Sequence, residues 1–178
     1  MQRSLTGAAI LAVLAAVAFG QAAGGNKSAK SDPSRAAAAF ERLKQLTGDW
    51  VVAGDSQGNV VSSWRSTAAG SVMMETLFPG QEEEMITMYH MDGDRLIATH
   101  YCSARNQPRL RLLPDEGVDV LKLEFFDATN MKPADSHMHH VELAFKGPDQ
   151  YVATWVGYKD GKPEKGHEAR FDLVRKKK

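Results

Sequence analysis

The sequence predicts a mainly β protein: an antiparallel up-and-down barrel of about ten strands behind one short amphipathic helix. Three observations predict it. From Trp50 onward the apolar residues recur at every second position, as they do along a strand with one buried face. The segments with this period are short and are separated by clusters of Gly, Pro, Asp and Asn, the residues of hairpins and turns. No helical pattern interrupts them, so hairpins join neighbours, and the sheet must close or fold over to protect its edges. A sandwich satisfies the same pattern; the barrel is the expected closure.

The amino terminus, "MQRSLTGAAILAVLAAVAFGQAAGG", has an early positive charge at Arg3, an apolar run from Ala8 to Phe19 and small residues around Gly20 to Ala23. That is the form of a cleaved secretory signal peptide over residues 1–22, too short for a good membrane span. No later segment is apolar enough to span a bilayer, and the mature protein is expected in the periplasm or secreted. "GGNKSAKSDPS" then reads as a flexible linker, giving a linker region over residues 23–34. Residues 35–178 have the size of one domain that buries a core without disulfides.

In "SDPSRAAAAFERLKQLTG", Ser34 is placed to cap a helix whose face carries Ala37, Phe40, Leu43 and Leu46, and Gly48 to end it. The strands follow in order as "DWVVAG", "VVSSWRS", "SVMMETLF", "EMITMYHM", "RLIATHYC", "PRLRLL", "VDVLKLEFF", "HHVELAFKG", "YVATWVGYK" and "EARFDLVR". The "DG" at Asp92 and Gly93 suits a tight primed turn, which pairs His90 with Arg95 or Ile97 and Tyr89 with Leu96 or Ala98. Either register puts Met85, Thr87, Tyr89, Leu96, Ala98, His100 and Cys102 on one face, the expected interior. Elsewhere the expected inward sets are Ser62 and Trp64; Val72, Met74, Thr76 and Phe78, with Glu75 outside; Leu121, Leu123 and Phe125; and His137, His139, Val141, Leu143 and Phe145.

"LTGDWVV", with Gly48 and Trp50 at the head of the first strand, resembles the Gly-x-Trp signature of lipocalins and related calycin barrels. That resemblance implies an Arg from near the last strand packed over the Trp, here Arg170 or Arg175. From Phe40 to the end, "ETLFPG", "MYHMDGDRLIATHYCSARNQPRL", "FDATN" and "HMHH" resemble a group of exported bacterial lipocalin-like (calycin-type) β-barrel proteins. The resemblance implies the barrel and the residues to watch; it brings no reaction.

The charges balance, 22 basic against 22 acidic residues, and the only basic run is the terminal "VRKKK", so nucleic acid is not an expected partner. The lone cysteine, Cys102, makes no internal disulfide and is expected to be buried. No strand-to-helix Gly-x-Ser-x-Gly elbow is present, since the match "GDSQG" at Gly54 to Gly58 lies in a turn cluster between two expected strands, and there is no Gly-rich phosphate loop. A Cys102 nucleophile needs His139 brought across the barrel, and acid–base work by His100 with Tyr89 or Glu75 has no substrate to define it.

An apolar interior with a few polar groups describes a pocket for a small hydrophobic or amphipathic molecule. The candidate ligand-binding residues are His100, Cys102, Tyr89, Asn106, Gln107, His139 and Trp155; at the barrel mouth Asn106 and Gln107 either tie down a loop or contact the ligand. His100, His137 and His139 are also metal candidates. His100-x-Cys102 and His137-x-His139 each put two donors about 7 Å apart on one strand face, from which a zinc, copper or haem-iron site can be built. The plainer expectation is hydrogen-bonded imidazoles near strand ends with no cofactor. A barrel with its interior filled by side chains, serving an envelope interaction, is the remaining alternative.

Overall fold

The computed structural model describes residues 32–114 and 117–177; the signal peptide expected over 1–22, and the linker as far as residue 31, lie outside the described residues. Residues Pro33–Lys44 form helix α1. Asp32, rather than Ser34, caps it: its carboxylate accepts the backbone N–H of Ser34 at 3.0 Å and of Arg35 at 3.3 Å, and Pro33 occupies the first turn, where no N–H is needed. The buried face is Ala36, Ala39, Phe40 and Leu43, spaced i, i+3, i+4, i+7, while Ala37 is exposed. Gly48 does not end the helix. With φ of 127° it turns the chain into the first strand, and the Arg175 side chain lies 3.2 Å from where its Cβ would stand.

The ten expected strands all form: β1 (Gly48–Val52), β2 (Val60–Thr67), β3 (Val72–Leu77), β4 (Met85–Asp92), β5 (Arg95–Tyr101), β6 (Gln107–Leu112), β7 (Val120–Thr129), β8 (His137–Phe145), β9 (Gln150–Lys159) and β10 (Lys162–Arg175). Each pairs antiparallel with its neighbours in sequence, and β1 pairs with β10, so the sheet closes into a barrel with no free edge. In the central hairpin His90 pairs with Ile97 and Tyr89 with Ala98, the second of the two registers the turn allows. Among the described residues no helix is long and apolar enough to cross a membrane.

One end of the barrel is plugged by α1, which packs against β4 and β5. Arg35 ties the helix to the β6–β7 connection through the carbonyls of Leu113 at 2.7 Å and Gly117 at 3.0 Å. Arg175 fastens the same end: its guanidinium lies 4.4 Å over the Trp50 ring and donates to the carbonyls of Thr47, Gln45 and Pro148 and to the Asp149 carboxylate. Of the two arginines expected over Trp50, Arg175 is the one that packs there.

Inside, β2, β4 and β5 face as expected, with Ser62, Trp64, Thr87, Tyr89, Leu96, Ala98 and His100 buried. Strand β3 is reversed from expectation. Met73, Glu75 and Leu77 point inward, and Glu75 is fully buried. The reversal costs little because Glu75 finds hydroxyl partners inside, and Met74 stays covered on the outer face by Arg65, whose Nη2 is 3.4 Å from its sulfur.

Candidate functional site

The interior carries two polar layers above the helix-plugged end. The deeper one centres on Glu75, whose two carboxylate oxygens accept the hydroxyls of Ser62 at 2.9 Å and Tyr89 at 3.0 Å. Ser62 in turn accepts from the Tyr151 hydroxyl at 3.1 Å, and Tyr151 accepts the Trp64 indole N–H at 3.0 Å. Trp64 stacks on Tyr89, and Trp50 meets Tyr151 edge-on. Because β2 and β9 lie on different sides of the barrel, this chain bridges its lumen. Among the described residues no cation partners Glu75, and burial, only partly offset by the two hydroxyl bonds, pushes its carboxyl up to about 7. The same burial, with Glu75 alongside, holds the Tyr89 phenol well above its ordinary value.

The second layer lies toward the far end. His100, 1% exposed, holds Nδ1 2.8 Å from the Thr87 hydroxyl, its cross-strand partner, and burial lowers the imidazole to about 4, so the ring is neutral at physiological pH. From β9, Trp155 reaches across the lumen to place its ring 4.8 Å from that of His100, tilted by 38°. Toward this end of the barrel three buried atoms have no hydrogen-bond partner among the described residues: His100 Nε2, the Trp155 indole Nε1 and Asn106 Oδ1. Native folds satisfy nearly all buried polar atoms, and each orphan costs about 1–3 kcal/mol, so the two on the neighbouring rings of His100 and Trp155 mark a candidate binding place.

Asn106 also does what its loop requires: its Nδ2 donates to the Ser136 carbonyl at 2.8 Å, strapping the β7–β8 connection over the β5–β6 turn. Asn130 adds to the strap by donating to the Arg105 carbonyl, and Ser136 bonds Glu164 at 2.5 Å on β10. The strap covers this end of the barrel.

His137 and His139 form a separate cluster. A bulge between Met138 and His140 in the β8–β9 pairing brings His137 Nε2 to 3.0 Å from His139 Nδ1, where a regular strand would hold residues two apart at about 7 Å. His137 Nδ1 is 3.1 Å from the Asp135 carbonyl, which can only accept, so Nδ1 carries the proton; between neutral rings His139 Nδ1–H then donates to His137 Nε2. His139 is clamped by Tyr158, stacked at 3.8 Å, and by Phe125 at 5.2 Å. Burial and the neighbouring His137 lower its basicity.

The candidate residues therefore divide. His100 and Trp155 come together, with Asn106 at the same end. Tyr89 is committed to Glu75 in the deeper layer, and Gln107 accepts from Thr129 at 2.8 Å on the neighbouring strand, a strand-tying contact. Cys102 is half-buried rather than buried, lying in the turn after β5, where its backbone N–H bonds the Asn106 carbonyl at 3.1 Å. His100 turns to Thr87 and His139 to His137, so neither activates the thiol. Among the described residues no three His, Cys, Asp or Glu side chains are grouped to hold a metal ion, so His100, Cys102, His137 and His139 do not make one centre. Ser62, Thr87 and Tyr151 were not among the expected site residues, and Glu75, weighed only as an acid–base partner of His100, was expected on the outer face; the one available sign was a glutamate set among methionines in a strand.

No protein-family model and no curated protein matches this chain.

Proposed function

We propose that this is an exported, lipocalin-like barrel that binds a small, largely apolar molecule in the far half of its interior, against His100 and Trp155. The observation that carries the proposal is the pair of rings 4.8 Å apart, each with a buried nitrogen that no group among the described residues satisfies. The head of β1, with Gly48, Trp50 and the Arg175 guanidinium over the indole, supports placing the chain among lipocalin-like barrels. The amino-terminal apolar run supports export. Binding rather than turnover is favoured because Glu75 and Tyr89 are engaged with each other and with Ser62, while His100 bonds Thr87.

The test is a fluorescence titration with phenylnaphthylamine, an uncharged apolar fluorophore. The wild-type protein is expected to bind it saturably, with energy transfer from tryptophan, and His100→Ala and Trp155→Ala are expected to weaken binding while the far-ultraviolet circular dichroism stays that of a barrel. Folded variants that bind as the wild type does would overturn the proposal.

A further inference from the structure

His100 is 1% and Trp155 2% exposed, so a molecule reaches this ring pair only if part of the protein around it moves. The end closed by α1 is poorly suited to opening. The helix and the turn after it bury Ala39, Phe40, Leu43 and Leu46 in the core, and Arg35 and Arg175 tie them down, so lifting this plug exposes a large apolar area to water. Because β1 starts beside α1, each odd-numbered strand runs away from the helix, and the connections that follow odd strands lie at the far end. His100 is the last residue but one of β5, and the turn that follows, residues 102–106, is the one bridged by the strap, residues 130–136. In the strap, residues 130 and 132–135 are exposed, and only Met131 and Ser136 are partly covered. Among the described residues, three side-chain hydrogen bonds fasten it to the β5–β6 turn and to β10: Asn106 to the Ser136 carbonyl, Asn130 to the Arg105 carbonyl, and the Ser136 hydroxyl to Glu164. The β3–β4 connection at the same end is pinned by an apolar contact instead, Phe78 edge-on to Phe171 of β10 at 5.8 Å. Local opening is easiest where little apolar surface is buried and few bonds must break.

We infer that the strap is the gate of this barrel: it lifts from the β5–β6 turn and from β10, and a ligand passes beneath it to His100 and Trp155. The inference rests on the binding site proposed above. The strap closes over the free and the occupied barrel alike, so its fastenings set how fast a molecule enters and leaves, not how tightly it is held.

Stopped-flow mixing with phenylnaphthylamine reads both rates. Asn130→Gly accommodates the φ of 54° and Ser136→Ala keeps the backbone; together they cut two of the three fastenings and leave Asn106, His100 and Trp155 in place. The double variant is expected to raise the association and dissociation rates together, about threefold or more each, with affinity within about twofold of wild type. Arg35→Gln, which loosens α1 instead, is expected to leave both rates within about twofold of wild type. Amide hydrogen exchange of the wild type reads the same motion without a substitution: residues 130–136 are expected to exchange ahead of those of α1. Wild-type rates in the double variant, faster rates in Arg35→Gln alone, or α1 exchanging first would overturn the gate and leave the binding site standing. No uptake of phenylnaphthylamine by the wild type would overturn the site and the gate together.

Discussion

The Tyr89 hydroxyl donates to Glu75 at 3.0 Å inside a barrel that offers this carboxylate no cation. Glu75 is ionised in the unfolded chain above about pH 4.5 but stays protonated in the fold until about pH 7. In that window the folded state binds more protons, so Glu75 makes stability fall as pH rises. His100 has the opposite sign. The unfolded imidazole takes a proton below about 6.5, the folded one only near 4, so its contribution is fully present above 6.5 and is lost as pH falls toward 4.

The two slopes oppose each other between about pH 4.5 and 6.5, and removing either exposes the other. In urea unfolding, Glu75→Gln is expected to become more stable with rising pH across this range and then level off. His100→Gln is expected to lose stability over the same range, each change being of the order of 3 kcal/mol. Parallel pH profiles for the wild type and both variants would contradict the assignment.

Arg175 joins the last strand to the end of α1 and covers Trp50. Arg175→Met keeps much of the stem's apolar contact but loses the cation over the ring and the bonds to Gln45, Thr47 and Pro148. The side chain is partly exposed, so the expected loss is modest, about 1–2 kcal/mol. Arg175→Lys, which cannot present a planar fork, is expected to recover less than half of it. Guanidinium unfolding midpoints read both.

Gly157 lies under His167 where β10 bulges between Pro163 and Glu168. A Cβ at Gly157 would stand 2.9 Å from the His167 Cβ and 3.3 Å from its carbonyl oxygen, neither of which is a mobile side-chain tip. Gly157→Ala is expected to cost about 1–3 kcal/mol, seen as a lower melting temperature. His167→Gly in the same chain is expected to restore part of it. An unchanged melting temperature for Gly157→Ala would contradict the close approach.

Much of this architecture is legible in the residues. The ten strands follow from period-two segments cut by turn residues, and the Asp92-Gly93 turn sorts β4 and β5 into two faces, of which the one without His90 and Arg95 is the inner, so His100 and Thr87 are found inside. What the pattern does not show is decided by partners distant in sequence. In "SVMMETLF" both faces carry methionine, so local hydropathy does not choose between them; Ser62 and Tyr89, thirteen and fourteen residues away, make Glu75 the inward residue. The His137–His139 contact depends on a bulge, which adds a residue to one strand without a mark in its hydrophobic period. Asp32 and Ser34 are both good caps, and Pro33 between them decides for Asp32 because it suits the first turn.

The three tryptophans allow the most direct test of where a ligand binds. The Trp50 indole N–H is bonded to the Leu46 carbonyl at 2.7 Å and that of Trp64 to the Tyr151 hydroxyl at 3.0 Å; only that of Trp155 is buried without a partner. In a proton–nitrogen correlation spectrum recorded during a phenylnaphthylamine titration, the Trp155 indole signal, assigned through Trp155→Phe, is expected to shift while the other two hold their positions. Saturable phenylnaphthylamine binding with the Trp155 signal unmoved, or with the Trp50 or Trp64 signal moving in its place, would contradict a site at His100 and Trp155.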